Sequence, residues 1–556
     1  MAEYDLLVRG GTIVDGTGAA AFRGDVGISG GRIADVGELR GQGAREIDAE
    51  GAIVAPGFVD IHTHYDAQVF WDRMMTVSPW HGVTTVILGN CGFGVAPTRP
   101  RDRDLILRTL ENVEGMSLDA LRSGLGEQWP FSTFGEFLSA IESRGTAIHV
   151  GAMVGHTPIR TWVMGEEAVS REATPEEIDE MRGLVTAALA DGALGFATSK
   201  APTHVGYDGN PVPSRVAAHE EILALGDCLR EAGKGTFQST IGQGLLFDEL
   251  GEIQQRIGRP VTWTALLGGL FGPDGHRKVL EKTAAQQAAG IQVYPQVTGR
   301  PLMLEFDMGA PFPFGSIPTM KPAFAADKEG KMRLYADPDF RSAFEEATQK
   351  TIGIFSMDHM WVSRHPTDDS LVELSVTELG AREGKSPVMA MLDLALATEL
   401  EVSFRMAVAN RDEDVVAELL TDPTAVLGLS DAGAHASQLC DAGASTHLLG
   451  HWVRDKEVLA MEEAVRKLTS EPADLFGLAD RGRIAPGKMG DLAIFDPEEV
   501  RCGPLERVQD FPGGADRLIA PAEGMRAVVV AGEVLRENGM DQLDPEGALP
   551  GKVVRS

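Results

Sequence analysis

The feature that most restricts the fold of this 556-residue chain is a repeated alternation of helix and strand patterns through its middle. Thr174-Pro-Glu-Glu forms a capping-box signature with proline in the first helical position. It opens a helix whose apolar stripe is Ile178, Met181, Leu184, Val185 and Leu189. Gly192 stops that helix, and residues 193–199 follow as a buried strand. The unit then repeats: helix 216–232 before strand 235–240, helix 248–257 before strand 260–267, and helix 276–289 before strand 291–297. Apolar runs at 58–62, 83–89, 147–154 and 425–429 bring the candidate strands to eight. That count predicts an α/β fold of the (β/α)8 TIM-like barrel type, whose reactive groups gather at the C-terminal ends of the strands.

The two chain ends have a different texture. Short β-branched runs between glycine turns fill the first fifty residues, and the same pattern returns in Asp491-Leu-Ala-Ile-Phe-Asp and Met525-Arg-Ala-Val-Val-Val. Both ends are expected to build one small β-sandwich domain, from residues 1–56 and 485–540, around a catalytic barrel at 57–484. Residues 541–556 are expected as a C-terminal tail. Residues 301–400 break the alternation with Pro311-Phe-Pro-Phe-Gly and many charges, and suggest a lid-like insertion over the barrel mouth.

A formal charge of −32 argues against nucleic acid and anionic membranes as partners, since their binders carry basic patches. No apolar run approaches the roughly 18 residues that would span a bilayer. The acidic Met-Ala-Glu-Tyr-Asp start shows no secretory pattern, and Cys91, Cys228, Cys440 and Cys502 are too scattered for a disulfide scaffold. A cytoplasmic enzyme with a small-molecule substrate is expected. The oligomeric state is not legible.

The chemistry begins where the apolar run Ala52-Ile-Val-Ala-Pro-Gly-Phe-Val-Asp ends in His62-Thr-His64. In extended chain, residues two apart point to the same side, so the two imidazoles form a pair of ligands for a first-row metal. Cys91 lies just past the second candidate strand in Gly-Asn-Cys-Gly, at the same barrel end. It is either a small buried hydrophobe or a metal-bound thiolate. Asp431 follows the eighth candidate strand in Ser-Asp-Ala-Gly-Ala-His435; it either caps the next turn or serves as a carboxylate that moves protons beside a metal. His156, after the third strand, either lines the pocket or is a satisfied structural histidine. His435 is a weaker candidate substrate contact, explained equally well as a polar residue at the barrel rim. His204, on a loop, either lines the pocket or is structural, and Asp358 and His359, inside the insertion, are weak candidates to contact substrate from a lid.

With these residues in place, the chain resembles the amidohydrolase superfamily, and within it the N-acyl-D-amino-acid deacylase (D-aminoacylase) group. Four segments carry the resemblance: Gly57-Phe-Val-Asp-Ile-His-Thr-His-Tyr-Asp66, Gly82-Val-Thr-Thr-Val-Ile-Leu-Gly-Asn-Cys-Gly92, Ser430-Asp-Ala-Gly-Ala-His435 and Arg481-Gly-Arg-Ile-Ala-Pro-Gly-Lys-Met-Gly-Asp-Leu-Ala-Ile-Phe-Asp496. The resemblance implies a hydrolase of C–N amide bonds dependent on one or two zinc ions, or another divalent metal. His62, His64, Cys91 and Asp431 would be its metal ligands, with Asp431 also the general acid/base. Lys200, at the end of the fourth strand, would bridge two metals if carboxylated, or else reach solvent or substrate.

Two departures stand out. Members of the group bring further histidines from the fifth and sixth strands, where this chain has Phe237-Gln-Ser-Thr and Val261-Thr-Trp-Thr; Gln238 is a poor substitute for imidazole. The group's basic residue shortly after the catalytic aspartate is also missing from residues 432–441. Arg300, whose fork suits a carboxylate, is the candidate replacement, with a structural salt bridge as the alternative. The expected reaction is deacylation of an N-acyl-(D-)amino acid. The alternatives are a cyclic amide or ureido hydrolase, and a catalytically silent barrel serving binding or assembly.

Overall fold

The computed structural model describes residues 2–315, 317–350 and 357–556. All eight expected runs contain strands: Phe58–Asp60, Val83–Leu88, His149–Ala152 continued by Val154–Gly155, Gly195–Ser199, Thr236–Thr240, Val261–Thr264, Val293–Val297 and Val426–Leu427. Each pairs in parallel with the next in chain order. A parallel bridge between Thr63 and Ala432 joins the residues just past the eighth strand to those just past the first. Val83–Leu88 and Gly195–Ser199 are buried along their whole length, as parallel strands are when both faces are covered.

Local chemistry sets the helices between them. Pro175–Asp191 starts at the reciprocal Thr174–Glu177 capping box and stops at Gly192, which takes a left-handed φ of 110°. The helix expected from residue 216 begins instead at His219 (His219–Ala232), because Ala217 and Ala218 are extended after a short helical turn, Pro213–Val216.

Strands from both chain ends share one nine-stranded sheet. Leu492–Phe495 pairs antiparallel with Ile53–Pro56 on one side and with Met525–Val530 on the other. Leu6, Val8, Ile28, Val54, Leu492, Ile494 and Val529 pack together in its core. The terminal residues are more than a tail: Val553–Val554 pairs in parallel with His149–Ala152, and the Ser556 N–H donates to the Gly192 carbonyl at 3.1 Å.

The chain divides into two compact units. The first is Met1–Leu266, Val279–Gly299 and Ala417–Ser556; the second is Leu267–Lys278 and Arg300–Val416. The second unit has its own antiparallel sheet, with Ser403–Ala409 between Leu302–Asp307 and Met360–Arg364. Its core includes Phe306, Phe314, Tyr335, Phe344, Met391 and Phe404. It therefore runs past the expected limit of residue 400, because its central strand lies beyond that point and is joined to it only by tertiary pairing. Among the described residues, no helix is long and apolar enough to cross a membrane.

Candidate metal centre

Each candidate ligand sits just past the end of a parallel strand, held by main-chain contacts. After the first strand, the His64 N–H donates to the Ala432 carbonyl at 2.8 Å, and the Ser430 hydroxyl donates to the His62 carbonyl at 3.1 Å. After the second strand, Cys91 occupies a left-handed turn at φ 56°, and its N–H donates to Gln238 Oε1 at 2.8 Å. Gly89 makes that turn possible: its φ is 80°, and a Cβ there would lie 2.1 Å from the Met153 carbonyl oxygen. Asp431 and His435 are also left-handed, at φ 44° and 48°. Non-glycine residues in this region store roughly 1–3 kcal/mol each, so the surrounding contacts hold these side chains against local strain.

The ligand atoms of His62, His64 and Cys91 lie within 4.8 Å of one another, and all three residues are buried. Cys91 Sγ is 3.4 Å from His62 Nε2. Asp431 Oδ1 faces both rings, 3.2 Å from His62 Nε2 and 3.7 Å from His64 Nε2. The far side of each ring also meets an acceptor. His62 Nδ1 is 2.8 Å from Gln296 Oε1, and His64 Nδ1 is 3.0 Å from Glu114 Oε1. The Gln296 amide is oriented by its other end, which donates to Thr262 Oγ1 at 3.2 Å while the Thr262 hydroxyl donates to the Tyr294 carbonyl at 3.1 Å. Gln296 therefore presents oxygen to His62, which places hydrogen on Nδ1 and leaves Nε2 to face Cys91 and Asp431.

Electrostatics agrees with a cation site. Burial alone would raise the Asp431 pKa, but His64, His62 and His435 hold it far below the ordinary carboxylate range. Burial likewise opposes ionisation of Cys91, yet His62 and His64 bring its thiol down to about 7. Burial would lower both histidines, but Cys91 and Asp431 raise His62, and Glu114, Asp431 and Cys91 raise His64. Protons on the rings and negative charge on the thiol and carboxylate therefore stabilise one another. A divalent cation can replace those protons. Two imidazoles, a low-pKa thiol and an adjoining carboxylate are a donor set that suits zinc.

The other expected residues are placed as follows. Both ring nitrogens of His156 are engaged, with Thr198 Oγ1 at 2.8 Å and Glu221 Oε1 at 2.7 Å, so the ring is built into the interior. The Lys200 amine donates to the carbonyls of Arg215 (2.9 Å) and Ala217. Those are contacts an ammonium makes and a bridging carbamate would not. His435 is half-buried beside Asp431 in sequence and acts on it electrostatically. Arg300 belongs to the second unit, where its carbonyl accepts from the Asn410 amide at 3.1 Å. Asp358 and His359 belong to that unit too, and Asp358 accepts from the Thr377 hydroxyl at 2.9 Å.

His204 is nearer the centre than a loop position suggested. Its ring packs 4.9 Å from that of Phe93, which is itself 6.4 Å from the His64 ring. Burial, helped by the charges of His435 and His64, pushes its pKa down to about 3. Sequence reasoning missed Glu114 and Gln296 altogether. Gln296 sits inside a strand run without a motif, and the one signal for Glu114 was an acid placed just before the glycine that ends a helix.

Fold and centre together define an amidohydrolase. The chain belongs to the amidohydrolase family, whose model matches residues 45–296 and 344–536. It is similar to a D-aminoacylase of Alcaligenes xylosoxydans xylosoxydans, 29% identical over 510 residues that cover 89% of each chain. An N-acyl-D-glutamate deacylase of the same organism is 28% identical over 503 residues, covering 90% of this chain and 88% of the relative. Among solved structures, a D-aminoacylase with a binuclear metal centre superposes over 100% of both chains, with a TM-score of 0.68 and 26% identity.

Proposed function

We propose that this chain is a metal-dependent deacylase of N-acyl-D-amino acids. In this reading the eight parallel strands close as a (β/α)8 barrel, and the shared sheet of the two ends forms its small β-sandwich domain. The observation that carries the proposal is the buried group of His62, His64 and Cys91 with Asp431 set against both rings. The near-full-length similarity to D-amino-acid deacylases supplies the substrate class.

His62, His64, Cys91 and Asp431 would hold the metal, and zinc suits their donors. When bound, the ion acidifies a water and polarises the substrate carbonyl. Asp431 is ionised at neutral pH, so it enters the reaction as the proton acceptor. It takes a proton from the attacking water as oxygen bonds to the acyl carbon. It returns that proton to the amine nitrogen as the C–N bond breaks, which leaves a carboxylic acid and a free amino acid. His435 is the candidate rim contact for the substrate.

The test is release of amino acid from N-acetyl-D- and N-acetyl-L-amino acids, with dihydrouracil and hydantoin as ring-opening controls. Chelated and zinc-reconstituted protein are compared. Zinc-dependent release from the D series is expected. Ring opening alone would make the protein a cyclic amide hydrolase, and zinc binding without turnover of either class would make it a silent barrel.

A further inference from the structure

We propose that Glu114 is a positioning residue of the metal centre: its carboxylate takes the Nδ1–H of His64 and so turns Nε2 of that ring toward Asp431. The proposal rests on the metal-dependent reading above and adds a residue that neither the motifs nor the donor cluster contain. His64 Nδ1 lies 3.0 Å from Glu114 Oε1, while Nε2 is the nitrogen that faces Asp431 Oδ1, at 3.7 Å. Both side chains are only 6% exposed. The Nδ1 atom is buried and, in this state, lacks an aligned hydrogen-bond partner. The Glu114 carboxylate is the acceptor within reach of it.

The neighbouring ligand shows the same design with a different acceptor. His62 presents Nδ1 to the Gln296 amide oxygen and keeps Nε2 for the cluster. His64 has a carboxylate in the equivalent place. A charged acceptor binds N–H more strongly than an amide and makes the opposite ring nitrogen a better donor to a metal.

The placement of Glu114 is hard to explain as ordinary helix chemistry. It is the last residue of the helix Arg103–Glu114, where the negative end of the helix dipole disfavours an acid. Among the described residues, its ion-pair partner is His64 alone. The helix end is docked against the loop that follows Asp431. Gly115 is left-handed at φ 59°, a Cβ on it would meet His435 Cα at 3.3 Å, and its carbonyl accepts from the Ser437 hydroxyl at 3.1 Å. The fold thus carries a buried acid to the ring it orients.

The experiment measures zinc affinity of the full chain by chelator competition for wild type and Glu114→Gln, beside thermal unfolding of both metal-free proteins. A zinc dissociation constant raised about 10–100-fold, with the metal-free melting temperature little changed, is expected. Wild-type affinity in the variant would overturn the role of Glu114 and leave the proposed function standing. A wild type that binds no zinc would overturn both. Should Glu114→Gln fail to fold, nitrogen-15 histidine spectra of the zinc-loaded wild type decide. His64 with Nδ1 protonated and Nε2 on the metal supports the proposal; the reverse attachment overturns it.

Discussion

Two buried histidine clusters in the first unit have the same ingredients and opposite accounts. In one, His156, Glu221 and Arg160 are fully buried: the His156 ring bonds Thr198 and Glu221, and the Arg160 guanidinium pairs with Glu221 and donates to the Arg171 carbonyl at 2.8 Å. Burial lowers the His156 pKa and keeps the ring neutral, so Nε2–H donates to the carboxylate and Nδ1 accepts from Thr198. Burial would raise Glu221, but His156 and Arg160 hold it low. Each of these three side chains is paired, although Arg160 Nε has no hydrogen-bond partner of its own. In the other cluster, His62, His64, Cys91 and Asp431 turn donor atoms toward one another, and Cys91 and Asp431 do so from left-handed backbone. A buried, perturbed histidine is therefore not a site in itself. Unspent donor atoms on strained backbone are what separate a centre from a brace.

That contrast can be broken most sharply at Asp431. Asp431→Asn is expected to fold normally and lose about 10²–10⁴-fold in kcat, because the general acid/base is gone. Near-wild-type turnover on a zinc-loaded variant would remove the proton-transfer role. The next effect belongs to the brace. Glu221→Gln leaves a buried arginine uncompensated and should cost about 3–5 kcal/mol by denaturant unfolding, with zinc per chain unchanged. Lost zinc stoichiometry in a folded variant would instead bring His156 into the centre.

Acid should act through the brace as well. Glu221 and the buried Asp491, which accepts from His149 at 3.1 Å, both have carboxyl pKa values below the unfolded value of about 4. Their contribution to stability is complete above that value and is lost as pH falls through the lower folded values. Stability of the metal-free protein should therefore drop below about pH 4, and less steeply in Glu221→Gln. An equal slope in the variant would show that Glu221 is not held low. The smallest effect is expected at Lys200. Lys200→Met leaves two carbonyls without their donor, a loss of about 1–3 kcal/mol, and should leave zinc content intact. Reduced zinc would restore a bridging carbamate.

What was legible in the sequence followed from short-range periodicity. Alternation of period two aligned His62 with His64, and strand ends marked by apolar runs placed Cys91 and Asp431. Capping boxes and glycine stops bounded the helices to within a few residues, as at Thr174 and Gly192. The second unit was legible only as a break in the alternation, since its central strand, Ser403–Ala409, is recognised by pairing on both sides rather than by a local pattern.

The sequence by itself determined the parallel strands, their order along the chain and the donors at their ends, because each depends on residues a few positions apart. Only the tertiary structure decided what those donors face. His62 meets Gln296 across 234 residues, the end of a helix delivers Glu114 to His64, and His156 and Lys200 are drawn into interior bonds. Ring orientation and protonation depend on such distant partners, which no local period encodes, and they set the proposed metal centre apart from the structural brace.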